Sequence, residues 1–174
     1  DTATFTNNGS YNSTLDGDYD NLGFFANFGY ELDNWATTLN VRTDDNNLIG
    51  SNDSYKFGII RQDILPNLDI KFNHAKGFKN PSLYEMFGAD NYGYHGNMNL
   101  TAENSILNEL SFDYTINKSK YTISLFRNEV SNLIEYSYPT YENNNTDTLD
   151  QSGIELAYQY SGDKTNFNIW ATSL

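Results

Sequence analysis

The chain has no cysteine among its 174 residues, which excludes a disulfide frame, a thiolate metal site and a thiol nucleophile. Proline is scarce, at three residues, so strand ladders can run long without losing a backbone donor. No stretch approaches the roughly 18 apolar residues that a membrane-crossing helix needs. Basic residues are few: 10 Lys and Arg stand against 23 Asp and Glu, and the net charge of −13 argues against nucleic acid as a partner. The histidines, His74 and His95, are far apart and belong to no Ser/His/Asp or His-x-x-x-His arrangement. Carboxylates are too common for any pair of them to stand out. No catalytic set emerges, and the chain does not read as an enzyme.

Aromatic residues are plentiful, with 14 Tyr and 11 Phe making most of a 16% aromatic share, a mixture that suits β-structure. A mean hydropathy of −0.65 looks like that of a soluble protein. A transmembrane barrel has the same average, because lipid-facing apolar residues alternate with polar ones facing the lumen. That alternation is present. Leu22, Phe24, Ala26, Phe28, Tyr30 and Leu32 are apolar, while Gly23, Asn27, Gly29 and Glu31 fall between them and only Phe25 breaks the pattern. The run matches the ~9–11 residues of a tilted membrane strand better than the roughly 5–6 of a soluble one.

The same period continues in Trp35–Arg42, Tyr55–Gln62, Leu68–Asn73, Ile106–Ile116, Lys120 towards Tyr136, Ile154–Tyr160 and Lys164–Leu174. This predicts an all-β, antiparallel transmembrane barrel segment of about eight strands. Residues 1–21 read mainly as loop, with a strand end at Thr2–Thr6. Short turns are expected at 33–34, 65–67, 117–119 and 161–163, and long loops at 44–53, 77–104 and 137–147. Outer-membrane barrels sort their connections in this way, with short periplasmic turns and long extracellular loops. Tyr30, Trp35, Tyr114, Tyr121, Tyr158 and Tyr160 gather near the short turns, where an interfacial aromatic girdle would lie. Both chain ends would then fall on the extracellular side, so the chain reads as a barrel fragment rather than a sealed eight-stranded ring. Arg127 shares the parity of Tyr121, Ile123 and Leu125. It calls for either a bulge that shifts the register or a strand that has risen to the headgroups.

The longest break in the alternation is Lys76–Ser105. Asn80-Pro81 predicts a short helical turn, with Asn80 as N-cap and proline in the first helical position, stopped at Gly88. Tyr92, Tyr94 and His95 in this loop, and Tyr136, Tyr138 and Tyr141 beside the next one, are candidate ligand contacts. Rigid amphipathic rings can pack on a large ligand and donate hydrogen bonds to it, or they can simply fold the loops onto each other. Phe78, Pro81 and Leu83 are expected to anchor the loop to the rim, and Glu109 to point into the lumen. Asp16, Asp18 and Asp20 alternate as at the start of a calcium loop. With Gly29 and Tyr30 where a bidentate glutamate would be needed, a solvated acidic loop is the plainer reading. Asp44, Asp45 and Asp53 could complete a calcium site.

GFKNPSLYEMFG, then GNMNLTAENS, then a strand bearing Glu109 together resemble the signature of TonB-dependent outer-membrane receptors. In that pattern Phe-(Lys/Arg)-x-Pro-x-Leu is followed by Gly-Asn-Pro-Asn-Leu-x-Pro-Glu-x-Ser, and Met98 and Ala102 stand here in place of its prolines. Phe126–Ile134 resembles the matching strand of the vitamin B12 branch. The resemblance implies that residues 1–174 are part of a barrel of about 22 strands, without its plug domain and terminal strands. It implies uptake of cobalamin or a ferric siderophore across the outer membrane of a Gram-negative bacterium, without a required cofactor. The implied partners are outer-membrane lipid, the protein's own plug, a TonB-type energy-transducing protein and a small nutrient ligand. Calcium in extracellular loops is a further implication of the B12 branch. The competing readings are a passive pore or adhesin-like barrel wall, and a soluble acidic β-sandwich binding module.

Overall fold

A computed structural model describes the backbone of residues 2–6, 12–16 and 20–174, with side chains from residue 20 onward. In chain order the elements are β1 (Thr2–Thr6), β2 (Asn12–Asp16), β3 (Asn21–Leu32), β4 (Trp35–Asn46), β5 (Gly50–Leu65), β6 (Leu68–Lys79), α1 (Leu83–Phe87), β7 (Gly88–Asp90), β8 (Glu103–Ile116), β9 (Ser119–Ser131), β10 (Ile134–Ser137), β11 (Glu142–Asn145), β12 (Leu149–Ser161) and β13 (Asn166–Ser173). Eight of them form one antiparallel sheet in the order β3-β4-β5-β6-β8-β9-β12-β13. Two small sheets lie outside it: β10-β11 in the connection between β9 and β12, and β1-β2-β7, in which the strands preceding β3 pair with β7 of the β6–β8 connection. The expected eight strands are therefore all present. β3 and β13 lie at opposite edges and do not pair, so the sheet is open.

Register decides what each face carries, because side chains alternate with period two. Tyr30, Thr37, Ile59, Phe72, Leu110, Leu125 and Ile154 align across successive strands. The next row on that face runs through Leu32, Trp35, Arg61, Ile70, Phe112, Ile123 and Leu156. This apolar face covers nothing: Leu22, Phe24, Phe28 and Leu32 are 60%, 64%, 63% and 55% exposed. Among the described residues the buried apolar ones are Pro81, Met86, Tyr94, Leu100 and Ala102, all in the connection between β6 and β8. The described sheet thus has no hydrophobic core, and two stacked sheets with an apolar interior are not what forms.

The opposite face is polar and internally bonded. Asp113, 4% exposed, takes ion pairs from Lys71 and from Lys120 (2.9 Å) and accepts the Thr122 hydroxyl at 2.6 Å. Glu109 points to this face as expected, accepting from Asn73 Nδ2 at 3.0 Å and the Ser111 hydroxyl at 3.2 Å.

Three expectations need correction. Residues 44–53 do not form a long loop: β4 and β5 stay paired as far as Asn46↔Gly50, leaving a three-residue turn at 47–49. Polar side chains do not stop a ladder made of backbone bonds. The Asn46 Oδ1 accepts the N–H groups of Leu48 and Ile49 at 2.9 and 3.1 Å and closes the turn. Similarly, β9 does not continue to Tyr136. Asn132 adopts φ 56°, and the chain leaves the sheet to make the β10–β11 hairpin. The helix cap is Ser82 rather than Asn80. The Ser82 hydroxyl accepts the Glu85 N–H at 3.2 Å while the Glu85 carboxylate accepts the Ser82 N–H at 2.7 Å, a reciprocal capping box.

No bulge lies at Arg127, since β9 keeps unbroken register with β8 and β12. It sits on the apolar side, in the row of His74 and Asn108. Its Nε and Nη2 meet Asp150 Oδ1 and Oδ2 at 3.0 and 2.5 Å. In the same row the His74 ring bridges the Tyr55 hydroxyl (3.1 Å) and Asn108 Oδ1 (2.8 Å). The row is thus polar on β6, β8 and β9, while on β3, β4 and β5 it carries Phe28, Leu39 and Phe57.

The tight turns use residues that tolerate left-handed backbone: Asp33, Asn67 and Asn117 have φ of 50°, 66° and 52°. Replacing Asn117 with alanine is expected to cost about 1 kcal/mol while Asn117→Gly costs almost nothing. The denaturant midpoints of the refolded variants measure the difference.

Candidate functional site

The long connections gather at one end of the sheet. After Ser82 starts α1, Gly96 approaches so closely that a Cβ there would lie 2.4 Å from the Met86 backbone. That contact lets the Gly96 N–H bond the Gly88 carbonyl at 2.7 Å, and Asn97 N–H bond Glu85 O at 2.9 Å. The loop folds back on its helix. Tyr94, 9% exposed, stacks on Tyr84 at a centroid distance of 4.9 Å and an interplanar angle of 4°. Its hydroxyl donates to the Tyr84 carbonyl at 3.2 Å and accepts from Asn143 Nδ2 at 3.0 Å. The far side of Tyr94 stacks on Tyr136 at 6.2 Å.

The β10–β11 hairpin is held against this loop by asparagines. Asn97 Nδ2 donates to Asn143 O at 3.0 Å and to Asn144 Oδ1 at 3.1 Å. Asn145 Oδ1 accepts the Thr101 N–H at 2.8 Å, and its Nδ2 donates to the carbonyls of Thr101 (3.0 Å) and Asn132 (2.8 Å). Glu103 Oε1 accepts the Ile134 N–H at 2.9 Å and faces Lys79 Nζ at 3.3 Å. The side-chain amides take the place of a continuous ladder between two loops.

All six aromatic candidates fall in this assembly, in different roles. Tyr94 is the buried support. Tyr136 is half exposed and Tyr138 72% exposed. Tyr138 and Tyr141 rings lie 5.4 Å apart, and Tyr141 holds φ 56°. Partial desolvation, then the neighbouring Tyr141, Asp90 and Tyr138, raise the Tyr136 phenol above its ordinary value. Tyr92 is 60% exposed, and its N–H bonds Asp90 Oδ1 at 2.8 Å. The His95 N–H bonds Tyr141 O at 3.1 Å, and its ring Nδ1 lies 3.6 Å from Glu142 Oε2. Pro81 is buried, with Phe78 and Leu83 partly so, consistent with anchoring at the rim.

Of the calcium candidates, Asp16 ends β2 opposite Thr2, Asp18 lies outside the described residues, and Asp20 is exposed. Asp44 is 3% exposed and engaged by Arg42 (2.5 Å) and Asn21 (2.8 Å). Asp45 points to the other face and bonds the Ser51 hydroxyl at 2.8 Å. Among the described residues, no three carboxylate or imidazole groups converge.

Along the polar face runs a hollow of about 750 Å³, reaching from β3 to β12 and lined by Asn27, Asn40, Lys56, Phe126, Asn128 and Gln151. Sequence reasoning missed the asparagine stitching, for which the run Asn143-Asn144-Asn145 was the available signal, and the capping box spelled by Ser82-Leu-Tyr-Glu85.

An open antiparallel wall with one apolar and one polar face, its structured loops all at the end opposite the 33–34, 66–67 and 117–118 turns, defines a segment of a large β-barrel. Residues 1–174 match the family described as TonB dependent receptor-like, beta-barrel, and the chain belongs to that family. The family is one of outer-membrane receptors. Over 144 residues the chain is 28% identical to the vitamin B12 transporter BtuB of Vibrio cholerae, covering 82% of this chain and 22% of that protein. The B12 transporter of Photobacterium profundum is also 28% identical, with coverage of 79% and 23%. The siderophore receptor PirA of Pseudomonas aeruginosa superposes with a TM-score of 0.75 at 18% identity, over 98% of this chain and 39% of that one. The FrpB iron transporter of Neisseria meningitidis gives 0.66 at 16% identity, over 92% and 26%. The chain thus spans less than a quarter of the B12 transporters, and the structural likenesses establish fold alone.

Replacing Asn145 with alanine removes bonds to two separate segments, at an expected cost of about 1–3 kcal/mol in the hairpin's local stability. Hydrogen exchange at Thr101 and Thr146 should accelerate by tenfold or more while strand amides in β8 and β9 keep their protection. Equal loss of protection in the sheet would contradict a local role.

Proposed function

We propose that this chain is part of the wall of an outer-membrane uptake receptor that imports cobalamin or a ferric siderophore, driven by a TonB-type protein. One observation carries the reading. One face of an eight-stranded sheet carries continuous rows of exposed apolar side chains, and the opposite face, polar apart from residues such as Phe25, Leu107 and Phe126, lines a hollow. In water such a surface would aggregate, whereas in a bilayer it is the required exterior.

In that orientation the turns at 33–34, 66–67 and 117–118 lie in the periplasm, and the loop assembly faces the medium. Tyr114, Tyr121 and Tyr158 share one row near the turns, with the Tyr121 and Tyr158 rings 5.1 Å apart, and serve as an interfacial girdle. Arg127 and Asp150, at the other border, sit at headgroup level. The hollow receives the plug. Tyr92, Tyr136, Tyr138, Tyr141 and His95 present the ligand-contact surface, and Tyr94 supports it from beneath. The identities to B12 transporters favour a corrinoid, and the fold neighbours among iron receptors keep ferric siderophores as the alternative. Calcium at Asp16, Asp18 and Asp20 remains a proposal of the same kind.

Two outcomes are expected. In the full-length receptor, Leu125→Arg should lower the stability of the folded barrel in vesicles by about 2–4 kcal/mol, whereas Asn40→Arg on the polar face stays near neutral. Equal effects would contradict the assigned faces. Binding of cyanocobalamin and a panel of ferric siderophores to cells expressing the receptor should reveal one ligand, and the Tyr138→Ala/Tyr141→Ala pair should weaken it about tenfold. Undiminished binding by the pair would remove these rings from the site.

A further inference from the structure

The regular ladder is interrupted once, in β5. Arg61 pairs with Ile70 and Leu65 with Leu68, so residues 62–64 oppose Asp69 alone. Asp63 takes φ 47° to make the bulge, and its N–H bonds the Asp69 carboxylate at 3.0 Å. Gln62 N–H bonds Asn34 O at 2.8 Å, tying the bulge to the neighbouring turn. A bulge held at both ends redirects side chains rather than merely loosening a strand. Here it opens a cleft of about 250 Å³ on the apolar face, lined by Trp35, Ile59, Arg61, Ile64, Ile70 and Phe72.

Five of these residues are apolar and one carries a full charge. The Arg61 guanidinium lies 5.3 Å from the centroid of the Trp35 ring, a cation–π contact that fixes its direction. Among the described residues no carboxylate pairs with it, although the chain carries 23 Asp and Glu. Arginine on the same face at the other border, Arg127, is held by Asp150. An arginine without a counter-charge on a surface that faces lipid needs an anion from outside the chain. Its place is informative as well: Trp35 directly follows the 33–34 turn and Arg61 is Trp35's cross-strand partner, so both lie at the short-turn end, at headgroup depth.

We propose that this cleft binds a glycerophospholipid of the periplasmic leaflet, with Arg61 on the phosphate and an acyl chain along Ile59, Ile64, Ile70 and Phe72. The proposal rests on the membrane orientation given above. A guanidinium offers paired donors to phosphate oxygens, and the apolar lining offers nothing to a soluble anion. The bulge explains why the site is here: without residues 62–64 looped out, Ile64 would be ladder-bound and the wall flat.

The test uses the full-length receptor, delipidated in mild detergent and examined by native mass spectrometry during titration with dioleoyl phosphatidylglycerol, with dioleoylglycerol as the phosphate-free control. One phosphatidylglycerol should bind ahead of the rest, and Arg61→Gln should weaken it about tenfold, with Arg61→Lys intermediate and dioleoylglycerol weak throughout. Ile64→Ser, which leaves the charge in place, should also weaken the lipid and provides the decision if Arg61→Gln does not fold. Equal binding by wild type, Arg61→Gln and Ile64→Ser, or equal binding of dioleoylglycerol, overturns the proposal. Heat-modifiable migration of each sample in detergent keeps the two readings apart. Barrel behaviour without lipid selectivity sinks the cleft alone, whereas a receptor that stays monodisperse without detergent sinks the membrane orientation as well.

Discussion

The backbone ladder joining β3 through β13 is the constraint from which the rest follows. A sheet whose side chains bury no common core draws its cohesion from continuous inter-strand hydrogen bonds and from whatever solvent meets each face. In lipid, those bonds cannot be exchanged for water, so every one of them counts for more than it would in a soluble domain. A slip of one residue would send Phe72, Leu110 and Leu125 inward and turn Lys71, Asp113 and Glu109 outward. The ion pairs of Asp113 with Lys71 and Lys120 act as register marks on the wet side, since they form only when three neighbouring strands are correctly aligned.

The sheet was legible because its determinants are local and repetitive. Alternation in Leu22–Leu32 and its counterparts needs no long-range information, and Asp33, Asn67 and Asn117 announce turns by their tolerance of positive φ. Strand ends were harder to read. Asp44, Asp45 and Asn46 look like loop residues, yet a ladder beyond the apolar band accepts polar side chains on both faces. The exit of the chain at Asn132 had only a single asparagine as its signal. Parity left the placement of Arg127 between two choices; the unbroken register of β9 with β8 and β12 removes the bulge, and Asp150, 23 residues away, meets its charge. No periodicity encodes such a contact.

The loop assembly was legible by composition and opaque in arrangement. Tyrosines in two separate loops suggested either a ligand surface or mutual packing, and the structure divides them by position. Tyr94 is enclosed between Tyr84 and Tyr136, while Tyr92 and Tyr138 stay at the surface. The division depends on Gly96 lying against the Met86 backbone, a contact that no spacing rule foretells. Ala102, in place of a proline of the family pattern, is itself among the few buried apolar residues, so the segment gains through packing what it lacks in ring rigidity.

The amide stitching has one more consequence. Asn97, Asn143 and Asn145 join the strap at 97–101 to the β10–β11 hairpin by side chains, whereas each piece joins the wall through its own short tether, at Glu103 and at Asn132. Two segments distant in sequence are thereby coupled through side-chain amides instead of a shared ladder. Loosening either segment would therefore unsettle the other, although some 45 residues of chain lie between them.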